Sequence, residues 1–179
     1  MLATYLGTLR QINRNVRLFL VSTALLGFTV SGGIYPVLFN LYLLRLGYGV
    51  DFIGLFNGTG GLSFALFSLP AGVMCRRWGN RRMLIWGLAL IAVSSGALPL
   101  AEFAPAAWQK AALLSTRVPT ALGFALYIVS ATPFLMSSTT RQERTHAFSL
   151  QTAFWPLAGF GGSLVAGFLP GFFAALTGT

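Results

Sequence analysis

The sequence predicts an all-α membrane protein with about five transmembrane helices and a cytoplasmic N-terminus. The composition is the first reason: 55% of the 179 residues are hydrophobic and only 8% are charged, far from the balance of a water-soluble domain. The second is that the apolar residues come in runs. No Asp, Glu, Lys or Arg occurs in 18–44, 52–75, 83–101, 118–140 or 147–179, and each run reaches the roughly 18 residues a helix needs to cross hydrocarbon. The third is where the charge lies. With the N-terminus inside, Arg10, Arg14, Arg17, Arg76, Arg77, Arg81, Arg82, Arg141 and Arg144 are cytoplasmic, Arg45 and Lys110 are outside, and Arg117 falls within a span. Basic loops are retained on the cytoplasmic side, so the topology explains the net charge of +9 without a nucleic-acid partner.

The segment Met1 to Arg17 mixes Leu and Tyr with three Arg and has no short apolar core followed by a cleavage site. It reads as a cytoplasmic or interfacial lead-in, not a removed signal peptide. The first span, about 18–44, carries Gly27, Gly32, Gly33, Pro36 and Asn40 and is long enough to tilt or kink. A short outer loop leads to the second span, about 52–75, where Gly54 and Gly58 form a small-xxx-small pair suited to close helix approach. The loop Arg76 to Arg82 returns the chain to a third span, about 83–101, and Glu102, Pro105 and Lys110 mark an outer loop. The fourth span, about 111–136, contains Arg117, Pro119, Gly123, Tyr127 and Pro133. A polar cytoplasmic loop precedes the fifth, about 147–175, with Gln151, Pro156 and a series of glycines.

Nothing divides residues 1–179, which read as one helical unit. A faint internal echo links Gly27-Phe28 and Pro36 in the first span to Gly123-Phe124 and Pro133 in the fourth, the type of correspondence transporter repeats show. The single Cys75 excludes an internal disulfide and any multi-cysteine metal site; it reads as an apolar filler and offers a native thiol on the inner side.

The stretch Gly72-Val-Met-Cys-Arg-Arg-Trp-Gly-Asn-Arg-Arg82 resembles the signature loop of the major facilitator superfamily. The family pattern is Gly, three residues, Asp, Arg, any residue, Gly, any residue and two basic residues. Gly72, Arg77, Gly79, Arg81 and Arg82 match it, while Arg76 stands in place of the Asp, which removes a carboxylate from the inner gate. Gly79 suits a positive φ in a tight turn, and the arginines suit anionic headgroups. A second similarity lies in the fourth span, where Leu113, Arg117, Gly123 and Ala125 fall at the spacing of a family motif with an intramembrane Arg.

The resemblance implies secondary active transport of a small solute by alternating access around a central site. That site is lined in this half mainly by the first, second, fourth and fifth helices. Its polar candidates are Tyr35, Asn40, Asn57, Arg117, Tyr127 and Gln151, each of which also suits an ordinary interhelical hydrogen bond. The resemblance further implies a multi-pass protein of the bacterial inner (plasma) membrane. Its expected partners are the lipid bilayer, an unknown small-molecule substrate and a missing C-terminal transporter half, since the family has about a dozen spans. The alternative is a non-transporting membrane interaction protein or an inactive gene fragment. No cofactor or metal is expected. An intramembrane enzyme lacks its parts: the one histidine, His146, lies in a loop, and no Asp or Glu sits inside a span.

Overall fold

The computed structural model describes residues 13–177, omitting the side chains of 106, 174, 176 and 177. Arg10 and most of the expected interfacial lead-in lie outside the described residues. The helices are α1 (Arg14–Thr29), α2 (Ile34–Arg45), α3 (Val50–Trp78), α4 (Asn80–Ala97), α5 (Ala106–Ser138) and α6 (Arg141–Thr177), with a 3-10 segment Leu98–Phe103 between α4 and α5. No strand occurs among the described residues. Five segments are long and apolar enough to cross a membrane: Arg14–Arg45, Val50–Trp78, Asn80–Phe103, Ala107–Ser138 and Arg141–Phe173. They agree with the five charge-free runs, and helices are the expected form because hydrocarbon offers backbone groups no other partner.

The helices gather into two compact units, one made of the chain up to Tyr48 together with Leu135 onward, the other of Gly49–Phe134. In the first unit, the opening span is broken. Gly32 takes φ +78°, a conformation open to glycine, and Pro36 sits in the first turn of α2, where its missing N–H costs nothing. In an unbroken helix the Gly32 carbonyl would accept from residue 36, but proline has no N–H to give. The Ser163 hydroxyl of α6 donates to it instead, sharing its proton with the Gly159 carbonyl. The backbones meet here: a Cβ on Gly27 would lie 2.5 Å from the Trp155 oxygen, and one on Gly162 would collide with the Phe28 carbonyl. α6 begins on a capping box. Thr140 N–H and hydroxyl donate to the Glu143 carboxylate at 3.0 and 2.8 Å, satisfying donors that a helix start leaves open.

In the second unit, α4 and α5 cross at a glycine pair. A Cβ on Gly87 would approach the Gly123 oxygen to 2.7 Å, and one on Gly123 would approach the Gly87 oxygen to 2.8 Å. One turn away the Thr120 hydroxyl donates to Ser94 at 2.9 Å, and Ser94 donates on to the Leu90 carbonyl at 2.5 Å, so both buried hydroxyls are satisfied. α3 packs along α5 through Phe64 and Phe124, whose centroids are 5.9 Å apart. A cluster of Ala71, Cys75, Met83, Ala125 and Leu126 packs the end of this unit near Gly79.

Three expectations are corrected. Among the described residues Gly54 and Gly58 mediate no close packing, since a Cβ on either meets nothing within 4 Å; the close approaches there use Gly87, Gly123, Gly27 and Gly162. The loop from Arg76 to Arg82 contracts to the single residue Gly79, because α3 runs to Trp78 and α4 starts at Asn80. Cys75 is no accessible probe: it is 5% exposed and its sulfur lies 2.9 Å from the Ser130 hydroxyl.

Two predictions follow from this packing. Gly123→Ala should lower the melting temperature of the purified protein in detergent, because overpacking costs on the order of 1–3 kcal/mol, whereas Gly54→Ala should leave it unchanged or raise it. Equal melting temperatures for the two variants would contradict the glycine crossing. For orientation, Arg77→Cys in a Cys75→Ala background should react with a membrane-impermeant thiol reagent in inside-out vesicles and not in intact cells. Reaction from outside alone would invert the topology.

Candidate functional site

Arg117 is the one charged residue within the spans read from the sequence, 18–44, 52–75, 83–101, 111–136 and 147–175, and its surroundings are built by one stretch of α3. The guanidinium carbon lies 4.6 Å from the centroid of the Phe56 ring. One terminal N–H group donates to the Asn57 side-chain oxygen at 3.4 Å, a long contact. The plane of the group covers Gly60, where a Cβ would come within 2.9 Å of a terminal nitrogen and 3.1 Å of the central carbon. Phe56 and Gly60 are four residues apart and share a face: the aromatic ring supplies a cation–π contact and the glycine supplies room. Any larger residue there would have to displace the guanidinium.

The arginine stays at its own depth. Lys110 meets Phe52 and Phe124 meets Phe64, residues 58 and 60 apart in sequence. The three contacts of Arg117 are separated by 57 to 61 residues. A side chain snorkelling to the outer surface would instead reach the first turn of α3. Asn57 is exposed and belongs with Gly54, Gly58 and Gly61 to the face of α3 next to the packed one, and a Cβ on any of those three glycines meets nothing within 4 Å. The guanidinium therefore lies on the border between packed and open surface.

Of the other sequence candidates, Tyr127 is fully buried, about 15 Å along α5 from Arg117 at 1.5 Å per residue. It belongs to the packing near Gly87, where a Cβ would lie 3.0 Å from the Tyr127 nitrogen. Tyr35, Asn40 and Gln151 are half-buried in the first unit, and Tyr35 stacks on Phe39 with centroids 5.4 Å apart. In the signature stretch, Gly79 has φ +85° and its N–H caps α3 on the Cys75 carbonyl at 3.0 Å. Arg76 and Arg77 occupy the last turn of α3, where the helix dipole favours cations. Arg81 and Arg82, exposed in the first turn of α4, have the dipole against them. Gly72 has ordinary room, 3.9 Å from Val129.

The sequence reading missed Phe56 and Gly60 as neighbours of Arg117; their four-residue spacing is the only local trace. Ser163 was also missed, although the absent N–H of Pro36 could have directed a search for a donor.

A family model described as Major Facilitator Superfamily matches residues 8–176. The chain belongs to the major facilitator superfamily. Neither the curated proteins nor the solved structures give a match. Membership makes this multi-pass chain a membrane transport protein in general function, in a family of transporters rather than enzymes. The basic turn around Gly79 lies between two of the spans.

The contact between Gly60 and Arg117 can be tested by a double-mutant cycle. Gly60→Val should destabilise the otherwise unaltered protein by about 1–3 kcal/mol, as overpacking does, and much less in an Arg117→Ala background where the space is vacant. Additive effects on melting temperature would show that the two residues do not touch.

Proposed function

We propose that this chain performs secondary active transport of a small solute by alternating access. In this reading it forms the N-terminal part of a larger transporter of the bacterial inner (plasma) membrane, and Arg117 meets an anionic group in the pathway. The observation that carries the reading is the position of the guanidinium, held level on Phe56 and Gly60 at the edge of the open Asn57 face. A cation within a span is costly, up to about 2.5–3.5 kcal/mol at the helix centre on insertion scales, and snorkelling would relieve that cost. Keeping the charge at depth is consistent with a binding role, either for a carboxylate or phosphate of the solute or for an acidic residue of a further span. The planar fork of arginine suits such an oxyanion through two parallel hydrogen bonds.

The open face of α3 supports the same reading. Gly54, Gly58 and Gly61 leave the backbone accessible beside Asn57, and small side chains permit either a close helix or a water-filled path. Additional spans supplied by a second, similar half would complete the surroundings of that face.

The test is transport of a panel of small organic anions by the complete assembly containing this chain, under an imposed proton or sodium gradient and at matched membrane expression. Arg117→Ala should abolish uptake. Arg117→Lys should retain roughly a tenth or less, because the charge remains but the bidentate geometry is lost. Near-normal uptake by both variants would reduce Arg117 to an anchor in the helix packing.

A further inference from the structure

We infer that the second unit carries a binding groove for one anionic phospholipid, with the headgroup at Arg82 and an acyl chain lying along α4. The groove has a volume of about 580 Å³ and is open along one side; Met74 and Trp78 of α3, Arg82, Trp86 and Leu90 of α4, and Leu126 of α5 are among its lining residues. Its walls are apolar except at one end, where Arg82 stands at the mouth. Arg82, Trp86, Leu90 and Val93 follow each other at helical spacing. From Arg82 to Val93 the groove runs about 16 Å at 1.5 Å per residue. That is close to one leaflet, half of a hydrocarbon core roughly 30 Å thick. Trp78 and Trp86 flank the mouth and are 53% and 65% exposed, the disposition of tryptophans that sit at headgroup level.

Charge selects the headgroup. Arg76, Arg77, Arg81 and Arg82 gather at this end of the unit. The only carboxylates between Gly49 and Phe134 are Asp51, in the first turn of α3, and Glu102, in the 3-10 segment beyond α4. Both lie at the opposite ends of their helices, so neither neutralises the cluster. Arg81 and Arg82 also sit where the α4 dipole is unfavourable to a cation, and a phosphate offsets both effects. A second copy of the chain is a poorer occupant. Copies inserted in the same orientation would bring two clusters of four arginines together at one membrane face.

Native mass spectrometry of the 179-residue protein, released from detergent with phosphatidylglycerol or phosphatidylcholine, reads the site directly. Phosphatidylglycerol should be retained as a single adduct under conditions that strip phosphatidylcholine. Arg82→Gln should weaken that retention roughly fivefold, the effect of one basic residue near an anionic surface. Leu90→Trp, which fills the groove with the arginines intact, should weaken it as well. Equal retention of the two lipids would overturn the site, as would phosphatidylglycerol binding indifferent to both substitutions. A dimer dispersed by Leu90→Trp would assign the groove to a second copy. An independent reading uses the unaltered protein in nanodiscs: phosphatidylglycerol brominated on its acyl chain should quench tryptophan fluorescence more than brominated phosphatidylcholine. Equal quenching would count against the proposal even if a variant fails to fold.

Discussion

The constraint on which the rest depends is that every backbone N–H and carbonyl inside hydrocarbon must find its partner in the protein. Helices meet it within each span, so irregular backbone is confined to places where a partner is at hand. The turn at Gly79 lies between two spans and still closes α3 with a backbone hydrogen bond. The break between α1 and α2 lies within a span, and there a hydroxyl from α6 serves the Gly32 carbonyl. Gly32 and Pro36 create a local backbone conformation that Ser163 makes compatible with an apolar surrounding.

Once helices are obligatory, the packing between them must come from close contact, because lipid tails are as apolar as the side chains they would replace. The glycines that matter are those where a carbonyl of the neighbouring helix occupies the place of a Cβ: Gly87 and Gly123 in one unit, Gly27 and Gly162 in the other. Gly27 and Gly123 are the two members of the internal echo, and both mark a helix contact. Their prolines diverge, since Pro36 opens a new helix whereas Pro133 lies inside α5. The same pair of residue types thus gives a break in one span and continuity in another, depending on whether a glycine with positive φ lies between them.

Charge is spent sparingly and in two ways. The arginines around Gly79 are exposed at one end of the second unit, and basic residues between spans favour the cytoplasmic side and anionic headgroups. Arg117 is held by an aromatic ring and a missing side chain. The proposed lipid groove and the proposed solute contact lie in the same unit, the groove along α4 with the inner-loop end of α3 and the solute contact on the stretch of α3 around Asn57. α5 takes part in both, with Leu126 lining the groove and Arg117 reaching α3. Occupancy of the groove and the setting of the arginine therefore share two helices, α3 and α5.

The sequence by itself determined the fold class, the number of spans and the family. Those follow from hydropathy, from where the arginines fall and from the spacing of Gly72, Arg77, Gly79, Arg81 and Arg82, all local properties of the chain. It also marked Arg117 and Asn57 separately, because a polar residue in an apolar run stands out. Their juxtaposition was not legible: 60 residues separate them, and no local pattern states which faces of two helices meet. For the same reason Gly54 and Gly58 could not be told from Gly87 and Gly123. A glycine's role depends on what stands opposite its missing Cβ, and only the tertiary structure puts a neighbouring backbone there.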